Sequence, residues 1–131
     1  MKRIRHIGIV VADLDSTINL FEGFGLTCNE VIEKDDDGFR VALFPIGDIF
    51  IEFISFIPGK ELDHVLNVVR SQKGSINHVC FEVDNLKASI QAFEKKGAKL
   101  VDGCPRPGAH GHIAFFYPET TGGILIELCE L

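Results

Sequence analysis

The stretch HIGIVVADLDSTINLFEGFGL at residues 6–26 decides the fold, because the chain contains a second version of it. Residues 78–98 read HVCFEVDNLKASIQAFEKKGA, and the two segments run in step at an offset of 72 residues (78 minus 6). The matching pairs are His6 with His78, Leu14 with Leu86, Ile18 with Ile90, Phe21 with Phe93 and Gly25 with Gly97. An internal repeat of this length predicts two halves built on one plan.

Each copy of the repeat reads as a strand followed by a helix. The openings HIGIVV and HVCFEV are rich in β-branched residues, which favour strands. In the first copy Leu14, Ile18 and Phe21 then recur at spacings of three and four, the period of one helix face. Gly25 follows as a stop signal, as Gly97 does in the second copy.

Three further strand-like runs follow the helix in each half. They are LTCNEVIE (26–33), FRVALFPI (39–46) and IFIEFISF (49–56) in the first half, and KLVDG (99–103), HIAFFYP (112–118) and GILIELCEL (123–131) in the second. Turn-forming segments separate them, among them KDDDG, the Pro- and Gly-rich CPRPGAHG, and ETTGG. The predicted order is therefore β-α-β-β-β, twice.

Residues 57–75 connect the two halves and contain one short predicted helix around residues 62–69. The apolar positions of this segment lie on one helix face, so we expect it to pack against the rest of the chain; they are Leu62, Val65, Leu66 and Val69. The whole chain, 1–131, is then one predicted domain, with module one at 4–56, the linker helix at 57–75 and module two at 76–131.

Composition restricts the class of partner. The net charge is −6 and no cluster of Lys and Arg is present, which argues against a nucleic-acid surface. No apolar run is long enough to span a membrane. The cysteines are scattered without a C-x-x-C pair, and no secretory leader is recognisable, so we expect reduced thiols in a cytoplasmic protein; they are Cys28, Cys80, Cys104 and Cys129. A small molecule is the expected partner.

The strand IFIEFISF carries a carboxylate, Glu52, among large apolar side chains. An unpaired ionised carboxylate buried there would be costly, so Glu52 needs a partner. The repeat places Glu127 at the corresponding position in the last strand of the second half, again on an otherwise apolar face. A single strand glutamate often marks an exposed edge or an accident of register, but two at matching places favour a shared site.

Four groups thus form a two-fold pattern, and they are His6, Glu52, His78 and Glu127. If the first and last strands of each half are neighbours, all four meet at one place. Two neutral imidazoles and two carboxylates around a divalent cation are neutral overall, which removes the cost of burying the carboxylates. Nitrogen and oxygen ligands suit Co²⁺, Ni²⁺, Mn²⁺, Fe²⁺ or Zn²⁺, with positions left open for a substrate.

These segments resemble the vicinal oxygen chelate superfamily, and within it the methylmalonyl-CoA epimerases. The resemblance rests on residues 6–26 and on RVALFPIGDIFIEFI, INHVCFEVDNL, PRPGAHG and PETTGGILIELCE. It implies an α+β fold in which two tandem βαβββ modules pair into a curved, mostly antiparallel sheet that forms a cavity. It also implies a metal held by His6, Glu52, His78 and Glu127, the set of ligands that glyoxalase I uses; some epimerases have Gln at the second position.

Three departures from the epimerases are visible, and one is the GAHGH loop, which is one residue shorter in this chain. Glu119 in YPET stands where those enzymes have a lysine, in HPKS, and Arg40 stands near the place of a second catalytic carboxylate in some of them. The loop CPRPGAHGH offers Arg106, His110 and His112 to an anionic substrate tail, although a turn-rich hairpin explains its Gly and Pro equally well.

The function that the resemblance implies is a metal-dependent epimerase that removes a proton α to a thioester carbonyl. In it Glu127 and Glu52 are expected to act both as ligands and as proton carriers. Two alternatives stay open: lactoylglutathione lyase, that is, glyoxalase I acting on a glutathione hemithioacetal, and a non-catalytic small-molecule binding protein. An extradiol dioxygenase fits less well, because its iron has two histidines and one carboxylate. Modules of this type commonly pair, so a homodimer is expected.

Overall fold

The structure is a computed structural model that describes residues 1–131. It consists of one eight-stranded sheet and three α-helices. The strands are β1 Arg3–Val10, β2 Glu30–Lys34, β3 Phe39–Ile46, β4 Ile49–Phe56, β5 Ile76–Glu82, β6 Arg106–Pro107, β7 His112–Phe116 and β8 Ile126–Glu130. The helices are α1 Leu14–Gly23, α2 His64–Ser71 and α3 Leu86–Lys95.

Helices α1 and α3 begin and end in the same way, as the repeat predicts. The Asp13 carboxylate accepts a hydrogen bond from the backbone N–H of Ser16, and the Asn85 side-chain oxygen accepts one from Ala88, so each residue caps the first turn of its helix. Gly25 and Gly97 follow the helices with φ angles of 99° and 97°, which favour glycine.

The sheet has the order β2-β3-β4-β1-β5-β8-β7-β6. Within each half the first and last strands are parallel neighbours, β1 with β4 and β5 with β8. The two halves join where β1 pairs antiparallel with β5, and every other pairing is also antiparallel. The expectation of a mostly antiparallel sheet made from two paired modules is confirmed, and the four central strands are the first and last strands of the halves.

The two edges of the sheet curl toward each other. His110, in the turn after edge strand β6, lies with Nε2 3.1 Å from Oε1 of Glu30 on the opposite edge strand β2. Arg106 of β6 reaches the linker between the halves, with its guanidinium 2.8 Å from the Asp63 carboxylate, which caps α2. These contacts close the sheet around an interior cavity.

Separate apolar clusters hold the helices in place. Helix α1 packs through Leu14 on Phe44 and Phe53 of the first half, and α3 packs through Ile90 on Phe116 of the second. Helix α2, together with Val101, Phe115 and Leu125, forms a further cluster through its buried residues Val65 and Val69. The linker therefore packs against the second half, as its one-sided apolar pattern predicts.

Two strand predictions were wrong in extent. KLVDG is not a strand: only Leu100 forms an isolated bridge, with Phe116, and the edge strand is instead the two-residue β6. The prolines at 105 and 107 explain its shortness, because proline has no N–H to donate to a ladder. In the first half LTCNEVIE becomes a strand only from Glu30, since Leu26 and Cys28 pack against the apolar cluster under α1.

The linker helix begins at His64, two residues later than predicted, because Asp63 caps it. None of the three helices is long and apolar enough to cross a membrane. The four cysteines are free thiols, as expected.

Candidate metal centre

Four side chains from the four central strands meet at one point: His6 on β1, Glu52 on β4, His78 on β5 and Glu127 on β8. The Nε2 atoms of the two imidazoles are 3.0 Å apart. Oε1 of Glu127 lies 3.1 Å from Nε2 of His6 and 3.2 Å from Nε2 of His78. Glu52 is held more loosely, 3.5 Å from His6 and 3.8 Å from His78.

Strand register brings the first-half carboxylate and the second-half histidine together at Gly8. Gly8 of β1 lies opposite Glu52 on β4 and opposite His78 on β5. The imidazole of His78 rests directly on this glycine, since a Cβ added there would be 2.1 Å from Cε1 of the ring. Glycine within a strand thus marks a close approach by another group.

Cys80 occupies the corresponding place in the second half, 72 residues after Gly8 (80 minus 8). It lies opposite His6 on β1 and opposite Glu127 on β8. A potential ligand atom of Cys80, its sulfur, and those of His6 and Glu127 lie within 4.8 Å of one another. The two-fold pattern of the sequence is therefore repeated in the strand pairing, with Gly8 opposite His78 and Cys80 opposite His6.

The electrostatics of the cluster favour a positive charge at its centre. Burial alone would lower the pKa of His6, but the carboxylates of Glu52 and Glu127 raise this pKa to about 9. Burial alone would raise the pKa of Glu127, but His6 and His78 lower it to about 2. An ionised Glu127 and a protonated His6 are therefore the stable state near neutral pH, and a divalent cation would supply the same positive charge.

Asn77 fixes the tautomer of His78. Its side-chain nitrogen donates a 2.9 Å hydrogen bond to the carbonyl oxygen of Val69 at the end of α2. Its oxygen must therefore accept the 2.8 Å hydrogen bond from Nδ1 of His78. With the proton on Nδ1, the lone pair of Nε2 faces the cluster, as metal ligation requires.

The donor set fits a divalent cation. Ligand atoms about 2.1 Å from one cation and at right angles are about 3.0 Å apart. The separations of 3.0, 3.1 and 3.2 Å among His6, His78 and Glu127 match this value closely. Glu52 lies farther out, 3.5 and 3.8 Å from the two imidazole nitrogens.

The cluster opens into a cavity of about 270 Å³. Its walls are mainly apolar and come from the inner face of the curled sheet, from α2 and from the turn after β6; among them are Phe39, Leu43, Phe50, Ile54, Val69 and Phe115. The lining also contains charged side chains outside the cluster, which are Arg5, Lys34, Asp37 and Arg106, and the imidazole of His110. This combination is typical of a site for a small, partly apolar ligand.

All four predicted ligands lie together in the cluster, whereas only some of the candidate residues in the loop CPRPGAHGH line the cavity. Arg106 and His110 line the cavity, Arg106 paired with Asp63 of the linker and His110 with Glu30 of the first half. His112 lies outside the cavity lining, and His64 bonds the Tyr117 hydroxyl at a separate surface.

Sequence reasoning did not identify Gly8 or Asn77. A glycine in a strand otherwise rich in β-branched residues was a usable signal for Gly8. For Asn77 the usable signal was a polar residue directly before the candidate ligand His78. Neither signal says which group the residue contacts, because that depends on the pairing between the halves.

Known proteins resemble the chain over nearly its whole length. The uncharacterized protein YqjC of Bacillus subtilis (strain 168) is 32% identical over 135 residues, covering 99% of this chain and 93% of that protein. An ethylmalonyl-CoA/methylmalonyl-CoA epimerase of Cereibacter sphaeroides is 27% identical over 130 residues, covering 96% of each. The crystal structure of methylmalonyl-CoA epimerase from Mycobacterium tuberculosis superposes with a TM-score of 0.80 at 27% identity, covering 98% of this chain and 87% of that one.

A family-wide comparison agrees with these pairwise ones. The family described as the Glyoxalase/Bleomycin resistance protein/Dioxygenase superfamily matches residues 5–116. This match includes three of the four clustered residues and both copies of the repeat. The curled sheet of two βαβββ halves and the epimerases among the relatives agree with this match. The chain therefore belongs to the glyoxalase/bleomycin resistance/dioxygenase superfamily, also called the vicinal oxygen chelate superfamily.

Proposed function

We propose that the protein is a metal-dependent epimerase that inverts the carbon α to the carbonyl of a methylmalonyl-CoA-like thioester. The observation that carries the proposal is the convergence of His6, Glu52, His78 and Glu127 at the base of a mainly apolar cavity. The relatives named as epimerases of methylmalonyl-CoA support the choice of substrate class.

The four clustered residues would hold the cation. When bound, a divalent metal supplies Lewis-acid polarisation of a carbonyl oxygen, which makes the neighbouring C–H bond more acidic. Asn77 keeps the lone pair of His78 directed at the cluster, and Gly8 leaves room for its ring.

The two carboxylates are proposed to carry the proton. Glu52 and Glu127 come from different halves of the chain and approach the cluster from β4 and β8, on opposite sides of the central pair β1 and β5. One carboxylate takes the α-proton, and the electron pair of the C–H bond passes into the adjacent carbonyl group. The other carboxyl group, which holds a proton when the substrate binds, gives this proton to the opposite face of the carbon as the electron pair returns from the carbonyl group; the carbon is inverted, and the two carboxyl groups have exchanged protonation states.

The contacts of the two carboxylates differ, and this supports a different main role for each, as a metal ligand or as a proton carrier. Glu127 touches both imidazoles at 3.2 Å or less, and their influence lowers its pKa, so it is firmly held as a ligand. Glu52 sits farther from both rings and its side chain is 15% exposed, compared with 7% for Glu127. Glu52 is therefore the carboxylate with more freedom to move toward a substrate.

The test is proton exchange with the metal-loaded protein in D₂O, starting from each epimer of methylmalonyl-CoA separately and followed by NMR. The wild type is expected to replace the α-proton by deuterium and to interconvert the epimers. Glu52→Gln is expected to slow interconversion by about 100-fold or more while one epimer still exchanges its proton with retention.

Glu119→Gln, an exposed carboxylate outside the cavity lining, is the matched control and should behave as the wild type. Absence of exchange from both epimers in the metal-loaded wild type would contradict the proposal. So would unchanged interconversion by Glu52→Gln, because no second proton carrier would then be required.

A further inference from the structure

Arg5 is the one arginine of the chain without a polar side-chain partner. Arg3 pairs with Glu82, Arg40 with Asp15 and Glu33, Arg70 with Asn67, and Arg106 with Asp63. Arg5 makes neither an ion pair nor a side-chain hydrogen bond. Its five N–H donors are therefore free to bind something else.

The position of Arg5 is fixed by an aromatic ring. Its guanidinium carbon lies 4.6 Å from the centre of the Phe50 ring, a cation–π contact. Phe50 stands opposite His6 in the β1–β4 pairing and is two residues before Glu52, on the same face of β4. The stacked guanidinium is thus on the cavity wall beside the metal cluster, and both Arg5 and Phe50 line the cavity.

No carboxylate lies within ion-pair distance of the Arg5 guanidinium. The two carboxylates of the cluster, Glu52 and Glu127, are directed at the imidazoles of His6 and His78. Arg5 is half-buried, and a guanidinium in this setting gains from an anion that presents two oxygens in one plane. A carboxylate of a bound ligand has this shape.

The second half of the chain has a different residue at the position that corresponds to Arg5, so the fold does not require arginine there. Arg5 precedes His6 as Asn77 precedes His78, at the same offset of 72 (77 minus 5). Asn77 is buried and holds the neighbouring histidine through Nδ1, whereas Arg5 makes no hydrogen bond to His6. In the second half this position holds Asn77, which orients His78, a proposed metal ligand. In the first half it holds Arg5, a cation that lines the cavity.

We propose that Arg5 determines specificity by binding the free carboxylate of the substrate, so that the site takes 2-substituted malonyl thioesters in preference to uncharged acyl thioesters. This inference rests on the proposed function for the identity of the thioester. Arg5 holds the carboxylate attached to the carbon that is inverted, and this orients the α-proton relative to Glu52 and Glu127.

The test compares the binding of two thioesters by calorimetry to the full chain loaded with its metal. Methylmalonyl-CoA carries the carboxylate, and isobutyryl-CoA has a methyl group in its place. The wild type is expected to bind methylmalonyl-CoA about 10- to 100-fold more tightly. Arg5→Gln is expected to remove this difference by weakening only the binding of methylmalonyl-CoA, and Arg5→Lys to retain part of it.

The matched control is Arg3→Gln, on the same strand but outside the cavity lining. Lys2 still pairs with Glu82 in this variant, so the wild-type preference should be unchanged. A full preference in Arg5→Gln, or no preference in the wild type, would overturn the inference. A preference lost in Arg5→Gln with no α-proton exchange by the wild type would support the role of Arg5 and contradict the epimerase proposal instead.

Discussion

The imidazole of His78 lies against the backbone of Gly8, so closely that a Cβ at Gly8 would fall 2.5 Å from Nδ1 and 2.6 Å from Nε2 of the ring. These two residues come from different halves of the chain and are opposite each other where β1 pairs with β5. The glycine is therefore part of the seam between the halves, and the ring it accommodates is a proposed metal ligand.

Replacing Gly8 by alanine should displace His78 and disrupt the cluster. We expect Gly8→Ala to lose metal binding and to destabilise the fold by roughly 1–3 kcal/mol, the usual cost of overpacking. Gly23→Ala is the control, because nothing lies within 4 Å of its added Cβ and its φ is not positive. Metal titration and thermal unfolding measure both effects; tight metal binding by Gly8→Ala would show that the ring position is not required.

Asn77 should act on the metal through His78. Asn77→Ala removes the acceptor of the Nδ1 proton, so we expect metal affinity to fall by about 10- to 100-fold. Asn77→Asp keeps an acceptor oxygen and should retain more affinity, although it cannot donate to the carbonyl of Val69. Competition against a chelator gives the affinities, and thermal unfolding separates them from a loss of folded protein. Equal affinities for the alanine variant and the wild type would contradict the positioning role.

The metal-free protein should be most stable in a mildly acidic window. The pKa of His6 is raised from 6.5 to about 9, so its contribution to stability is fully present below pH 6.5 and is lost as pH rises through about 9. The pKa of Glu127 is lowered from 4.5 to about 2, so its contribution is present above pH 4.5 and is lost as pH falls through about 2. Both contributions are complete between pH 4.5 and 6.5.

Urea unfolding of the chelator-treated protein at a series of pH values measures this window. His6→Ala should lose the decline in stability between pH 6.5 and about 9. A wild type whose stability does not fall across that range would show that His6 holds no extra proton.

The two carboxylates should differ as ligands. Glu127 is within 3.2 Å of both imidazole nitrogens, whereas Glu52 is 3.5 and 3.8 Å away. We expect Glu127→Gln to lower metal affinity more than Glu52→Gln does, since the closer carboxylate neutralises more of the cation's charge. Fluorescent-chelator competition provides the comparison, with Glu119→Gln as reference. A larger loss of metal affinity in Glu52→Gln than in Glu127→Gln would contradict this prediction and make Glu52 the stronger ligand.

The repeat made the centre of the fold predictable from the sequence. Matching His6 with His78 and Glu52 with Glu127 requires only that equivalent strands occupy equivalent places, and the parallel pairs β1–β4 and β5–β8 meet this condition. The edges were less predictable, because the turn residues of the two halves differ. Arg106–Pro107 became an edge strand in a segment that reads as a turn, and KLVDG made only one bridge.

The contacts between the halves were also beyond prediction from pattern alone. Hydrophobic periodicity says which face of a strand is buried, but it does not give the register of one half against the other. Two features depend on that register: the contact of His78 with Gly8, and the absence of a polar side-chain partner for Arg5.

Elemental analysis of the purified protein, after reloading with divalent metal and removal of the excess, tests directly whether the four clustered residues bind a cation. We expect one cation per chain in the wild type and in Glu119→Gln, and none in His78→Ala, which lacks the ligand at the seam of the two halves. A wild type without stoichiometric metal, or a His78→Ala variant that retains it, would contradict the claim that these four residues form a metal centre.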